Sequence, residues 1–336
     1  MTALRVVGIL GWWLLAWASS APAIAAQKTG RANGPVALVV AVQGSAQVRA
    51  HPGVRSSSPL MLGEEVAPGQ EIAVAAGRGA ALTLAWYKSS ARYRLTAGAR
   101  AVVTPAGLRR IAGPAPQRLP TPGARISYNR QDVRRPREGG LMTNIRSADL
   151  SPVLTRMNAP LGAILETRPR FSWNTVPAPD NVVIAVYPLR DPTPLWQQQF
   201  PGNTATAQYP ADKPALAPGQ LYRWVVTVPS DGIQPESKAQ TIFWVAAPSV
   251  RQNLEALRAE VRAHPEDPAL RVLLLRALWD AGFFAEAATT AEAFARTQPG
   301  DTALAGLAAR LHKLLDCLAS GRLDPIHTQW STQCRE

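Results

Sequence analysis

The sequence predicts a multi-domain exported protein: an all-β unit, a β-sandwich, then α-helical hairpins. Three observations carry this. The chain opens with a charged start, a long apolar run and a small-residue break. Its middle is built of short apolar runs separated by glycine and proline turns. Its last quarter turns to Ala, Leu, Arg and Glu at helical spacing, with a motif that recurs after 34 residues.

Residues 1–5 carry one positive charge, residues 6–18 (VVGILGWWLLAWA) are uninterrupted and apolar, and residues 19–25 end in Ala23-Ile24-Ala25. This is the layout of a cleaved signal peptide over residues 1–25. A membrane-crossing helix needs roughly 17–25 apolar residues, more than this run supplies. No cysteine follows it to take a lipid, and no second long apolar stretch occurs, so the expected mature protein does not span the membrane and is periplasmic or secreted. At 46% hydrophobic and 18% charged the chain is globular in composition. In an oxidising compartment its two cysteines, Cys317 and Cys334, are expected to pair and return the tail, with Ile326 and Trp330, onto the last helix.

The formal charge is +13, and it is concentrated. Between Lys88 and Arg137 twelve Lys/Arg stand against one acid, Asp132. Arg109, Arg110, Arg130, Arg134, Arg135 and Arg137 form the candidate anion-binding patch, since such density recruits polyanions. For an exported chain nucleic acid is not the expected partner. Anionic lipid, acidic polysaccharide, cell-wall carboxylates and acidic protein faces are. The plainer alternative is that arginine keeps a proline-rich linker solvated.

Residues 36–112 read as several short strands with glycine turns, starting from the apolar run VALVVAV at 36–42. The order of signals, Gly44–Ala50, Leu60-Met61-Leu62-Gly63, Gly69-Gln70-Glu71-Ile72, Ala80-Ala81-Leu82-Thr83-Leu84 and then residues 93–103, resembles the FecR domain. Two departures stand out: the acid after Gly69 is displaced by one position to Glu71, and Trp86-Tyr87-Lys88-Ser89-Ser90 replaces the usual Asp-Gly turn. The resemblance implies a β fold. The family's founding role in relaying an iron-uptake signal needs a cytoplasmic segment and a membrane helix, so it is not expected here. Residues 113–150 read as a basic Pro/Arg-rich linker.

Residues 151–247 return to strand patterning. Phe171 and Trp173 fall on one strand face, as do Ile242 and Trp244. Leu216-Ala217-Pro218-Gly219-Gln220-Leu221-Tyr222 is a tyrosine-corner arrangement, in which the phenol bonds back to nearby backbone. This stretch is similar to a fibronectin type III sandwich. Phe171, Trp173, Tyr222 and Trp224 are expected in its core, and Trp196 is the one aromatic left open as a sugar-stacking surface.

In residues 248–320, Pro265-Glu266-Asp267-Pro268-Ala269-Leu270 recurs 34 residues later as Pro299-Gly300-Asp301-Thr302-Ala303-Leu304. Leu270, Leu273, Leu274, Ala277 and Leu278 share one helix face, Gly282 ends that helix, and Phe284, Ala287, Ala288, Ala291 and Phe294 line the next. The pattern resembles a tetratricopeptide repeat flanked by two half-repeats, although Leu275 and Phe294 stand where small residues are usual. A plain helical packing unit without a groove is the alternative. Residues 321–336 form a tail.

No catalytic or metal-binding constellation is found. The four histidines (His51, His264, His312, His327) lack ligand spacing, and Glu64-Glu65 sits on a turn where neighbouring side chains point apart. No cofactor is expected. The expected role is a non-enzymatic envelope scaffold or adaptor that binds protein. The alternatives are a sensor component working with a separate membrane partner, and a cell-wall or anionic polysaccharide binder.

Overall fold

Glycine turns and short β-branched runs make ten strands of the first unit. The structure is a computed structural model, and it describes residues 34–120, 154–176, 178–229, 236–328, 330, 332 and 334. The strands are β1 (Ala37–Gln43), β2 (Ala46–Arg49), β3 (Ser58–Pro59), β4 (Glu65–Val66), β5 (Glu71–Val74), β6 (Ala81–Trp86), β7 (Arg92–Thr96), β8 (Arg100–Thr104), β9 (Gly107–Ala112) and β10 (Gln117–Leu119). They form two five-stranded sheets, β10-β7-β6-β1-β4 and β3-β2-β5-β8-β9. Val39, Ile72, Leu82, Leu84, Trp86 and Leu95 fill the space between them. β1 is buried on both faces. Ala37 and Val39 point into this core, whereas Leu38 and Val40 join a different one that contains the helices. That explains why residues 36–42 are continuously apolar instead of alternating.

One boundary differs from the expectation. The sequence pattern starts the linker at residue 113, but residues 117–119 pair with β7, Arg118 lying opposite Tyr93. The chain leaving β9 therefore crosses from one sheet to the other before the arm begins. Residues 1–33, with the expected signal segment, and residues 121–150, with Arg130, Arg134, Arg135 and Arg137, lie outside the described residues.

The second unit holds β11 (Leu154–Ala159), β12 (Gly162–Ile164), β13 (Arg170–Val176), β14 (Asn181–Pro188), β15 (Trp196–Pro201), β16 (Thr206–Gln208), β17 (Leu221–Val228) and β18 (Ser237–Val245). Sheets β11-β13-β16 and β12-β18-β17-β14-β15 enclose a core of Phe171, Trp173, Tyr222, Trp224 and Phe243. The tyrosine corner is present: the Tyr222 hydroxyl accepts the Ala217 N–H at 2.7 Å. Trp196 requires a correction. It is buried, its ring centroid 5.6 Å from that of Phe171, because β15 turns it inward to fill the sandwich. It offers no stacking surface to a sugar.

Four helices follow: α1 (Pro248–Ala263), α2 (Pro268–Ala281), α3 (Phe284–Thr297) and α4 (Thr302–Ala319). The repeated aspartates are their caps. Asp267 accepts the Ala269 N–H at 2.8 Å at the start of α2, and Asp301 accepts the Leu304 N–H at 2.9 Å at the start of α4. Gly282 ends α2 in the left-handed region at φ 92°.

The helices lie between the two β units and bury surface against both. Their core continues into Leu38, Val40, Leu62 and Ala85 of the first unit and Leu161, Ala163, Trp244 and Ala246 of the second. α2 and α4 pack on β1, and α4 also on β11. The reading of α2 as a one-faced helix is thus incomplete. Arg271, Leu275 and Arg276 are buried along with the predicted stripe, as a helix covered on all sides requires. On the sandwich side the approach is close. Ala163 N–H donates to the Gly282 carbonyl at 2.9 Å, and a Cβ at Gly282 would fall 2.2 Å from Trp244. Ile242 and Trp244 do share a face, but it is the outer face of the sheet, against which the helices settle.

Candidate functional site

Two regions concentrate charge. The first is a polar seam where the first β unit meets α2 and α4. Arg276, near the middle of α2, donates to Asp280 at 2.7 Å, to the Gly63 carbonyl at 3.0 Å and to Glu65 at 3.1 Å. Glu65 also accepts the Tyr87 hydroxyl at 2.8 Å. Two guanidinium groups approach the Trp330 ring, Arg276 at 5.5 Å and Arg310 at 5.3 Å from its centroid, and its indole N–H donates to the Leu62 carbonyl at 3.1 Å. Nearby, Arg92 of β7 pairs with the Asp267 cap of α2 in a fully buried contact.

Burial works against the charge on Arg276, but Asp280 and Glu65 outweigh it and hold the guanidinium protonated beyond its ordinary range. Burial also lowers Arg310, with Glu64 opposing and Arg276 adding to the shift. Glu64 is raised by burial, against the Met61 N–H and the two arginines. A carboxyl raised on folding stabilises while it is protonated, and that contribution fades as pH climbs through the raised value. Glu64→Gln should therefore flatten the fall in melting temperature as pH rises above the ordinary glutamate pKa of about 4.3, relative to the parent chain. An unchanged pH profile would count against this reading of Glu64.

The tail closes the seam. α4 ends at Ala319, Gly321 takes φ 70°, and the Arg322 N–H returns to the Cys317 carbonyl at 2.9 Å. Cys317 and Cys334 are disulfide-bonded, with Cα atoms 6.4 Å apart, as their expected pairing requires. Trp330 passes beyond α4 to reach the Leu62-Gly63 turn, and a Cβ at Gly63 would fall 2.3 Å from its ring. The seam is thus a filled joint rather than an opening for a ligand.

The second region is the exposed edge of the first unit. Arg109 and Arg110 of β9 and Arg118 of β10 are exposed, and none has a hydrogen-bond or ion-pair partner among the described residues. Ile111 beside them is 40% exposed. Strand register aligns Arg49, Glu71, Val102 and Arg109 across the outer face of β2, β5, β8 and β9. Glu71 is buried there and accepts Arg100 Nε at 2.8 Å, with Arg49 at 3.9 Å. The local excess of charge is therefore uneven: Arg92 and Arg100 are engaged within the fold, while Arg109, Arg110 and Arg118 face solvent.

A depression of about 530 Å³ lies between Pro188–Pro192 and Gln220-Leu221 of the sandwich, lined by one acid and one base, Asp191 and Arg190. Among the described residues no group of three His, Cys, Asp or Glu is placed to hold a metal ion, and no helix is long and apolar enough to cross a membrane. No protein-family model matches the chain, and no curated protein matches it.

Proposed function

We propose that this chain is a non-enzymatic scaffold or adaptor of the cell envelope, exported through a cleaved signal peptide, which binds other proteins through its β surface. The observation that carries the reading is the position of the helices. Their tetratricopeptide-like pattern is suited to gripping a peptide, yet α2 and α4 are occupied by β1, the Leu62-Gly63 turn and Trp330. The helices serve as an internal splint, holding an FecR-like unit and a fibronectin III-like unit at fixed separation. That leaves recognition to the exposed strands, where the positive charge is densest. The Cys317–Cys334 bridge fits an oxidising compartment.

A photo-crosslinking residue placed at Arg118, with a control at Thr193 on the far unit, tests this in intact cells. The expected result is one or a few defined protein adducts from Arg118. A membrane-spanning regulator as the sole adduct would replace the scaffold by a sensor component. Cell-wall or glycan fragments alone would replace it by a polysaccharide binder.

A further inference from the structure

Among the described residues β9 is the last strand of its sheet and pairs with β8 alone. In an antiparallel ladder alternate N–H and C=O groups point away from the partner strand, so such an edge is a template for another strand. The charges on this edge are specific. Arg109 lies opposite Val102, on the outer sheet face, and Arg110 lies opposite Ala101, on the inner side. Ile111 is unpaired at a bulge and exposed beside them.

We propose that β9 is a docking edge for an extended acidic segment of a partner protein, which adds to the sheet as a further strand. Two consecutive acidic residues on the incoming strand meet Arg109 and Arg110, one on each face, and a neighbouring apolar residue covers Ile111. Main-chain hydrogen bonds supply affinity and the alternating side chains supply selection. A peptide fits better than a polysaccharide because the edge offers backbone donors and acceptors, and because Trp196, the aromatic available for a sugar platform in the sequence, is buried. The proposal rests on the adaptor reading and deepens it by naming the partner's chemistry.

The test uses the full mature chain and a fluorescein-labelled peptide, Thr-Val-Glu-Glu-Ile-Thr-Val. A second peptide of the same sequence carries N-methyl groups at alternate residues, keeping the charge and removing strand pairing. The expected result is saturable binding of the first, weakened by salt, with slowed amide exchange at residues 107–112. N-methylation should abolish it, and Arg109→Glu with Arg110→Glu should weaken it by roughly tenfold or more. Equal binding of the N-methylated peptide, or of polyglutamate and an acidic glycan, would overturn strand addition in favour of a general polyanion surface. Binding of neither peptide would overturn it too, and would mean that the arginines and the bulge guard the edge against pairing. Protein adducts from the crosslinking at Arg118 would still stand in that case, so the two failures are distinguishable.

Discussion

Replacing Arg276 by methionine is expected to lower the unfolding free energy by about 3–5 kcal/mol, the usual cost of stripping one partner from a buried ion pair. The side chains of Arg276 and Glu65 are each 7% exposed and that of Asp280 is 10% exposed, so two carboxylates would be left in a poorly solvated joint. The Gly63 carbonyl would lose its donor as well. Arg276→Lys should recover little, because one ammonium cannot reproduce three directed N–H contacts in a planar fork. Adding Glu65→Gln and Asp280→Asn to Arg276→Met should recover much of the loss, since these three positions then carry no charge to desolvate. Urea unfolding midpoints decide the matter. A midpoint unmoved by Arg276→Met would mean that the seam does not hold the first unit to the helices.

Trp330→Ala should cost a similar amount, about 3–5 kcal/mol, by emptying a buried indole site. The loss combines packing against Trp279, whose ring centroid is 6.1 Å away, with the bond to Leu62 and the two guanidinium contacts. Cys334→Ser removes a closure over 17 positions, worth about 3 kcal/mol in the loop-entropy account. The two changes act on one tail and should be less than additive, because a tail already released from the seam has less order left to lose. Full additivity in a double-mutant cycle would show that the bridge and the tryptophan act separately.

How much of this was legible differs by element. The helix limits and their aspartate caps follow from residues local to each turn, and the tyrosine corner is a short-range motif, so both could be read in the chain. The cysteine pairing was likewise readable from count and compartment. What could not be read is which surface each apolar residue meets. Trp244 and Phe243 are adjacent, and only the assembled layers send one to the helices and the other into the sandwich. Arg276 looks like any helical arginine, since its partners Glu65 and Gly63 are more than 200 positions away in sequence. Trp196 failed for a related reason. Three glutamines follow it, and all three are exposed in β15, but Trp196 at the start of the strand turns inward onto the aromatic core. Of the candidate patch, Arg109 and Arg110 come together on one strand because they are neighbours; no local signal announces that Arg100 would be spent on Glu71.

The contact between Trp330 and Leu62 joins positions 268 apart in sequence. Such a long span makes it among the last contacts a growing chain can form. As the polypeptide emerges from its N-terminus, the first β unit can close its own inner core early, but Leu38, Val40 and Ala85 stay uncovered until the helices arrive. The seam is sealed later still, when the final residues are out. A chain folding as it is made would therefore hold its first unit only partly finished until its last residues are free.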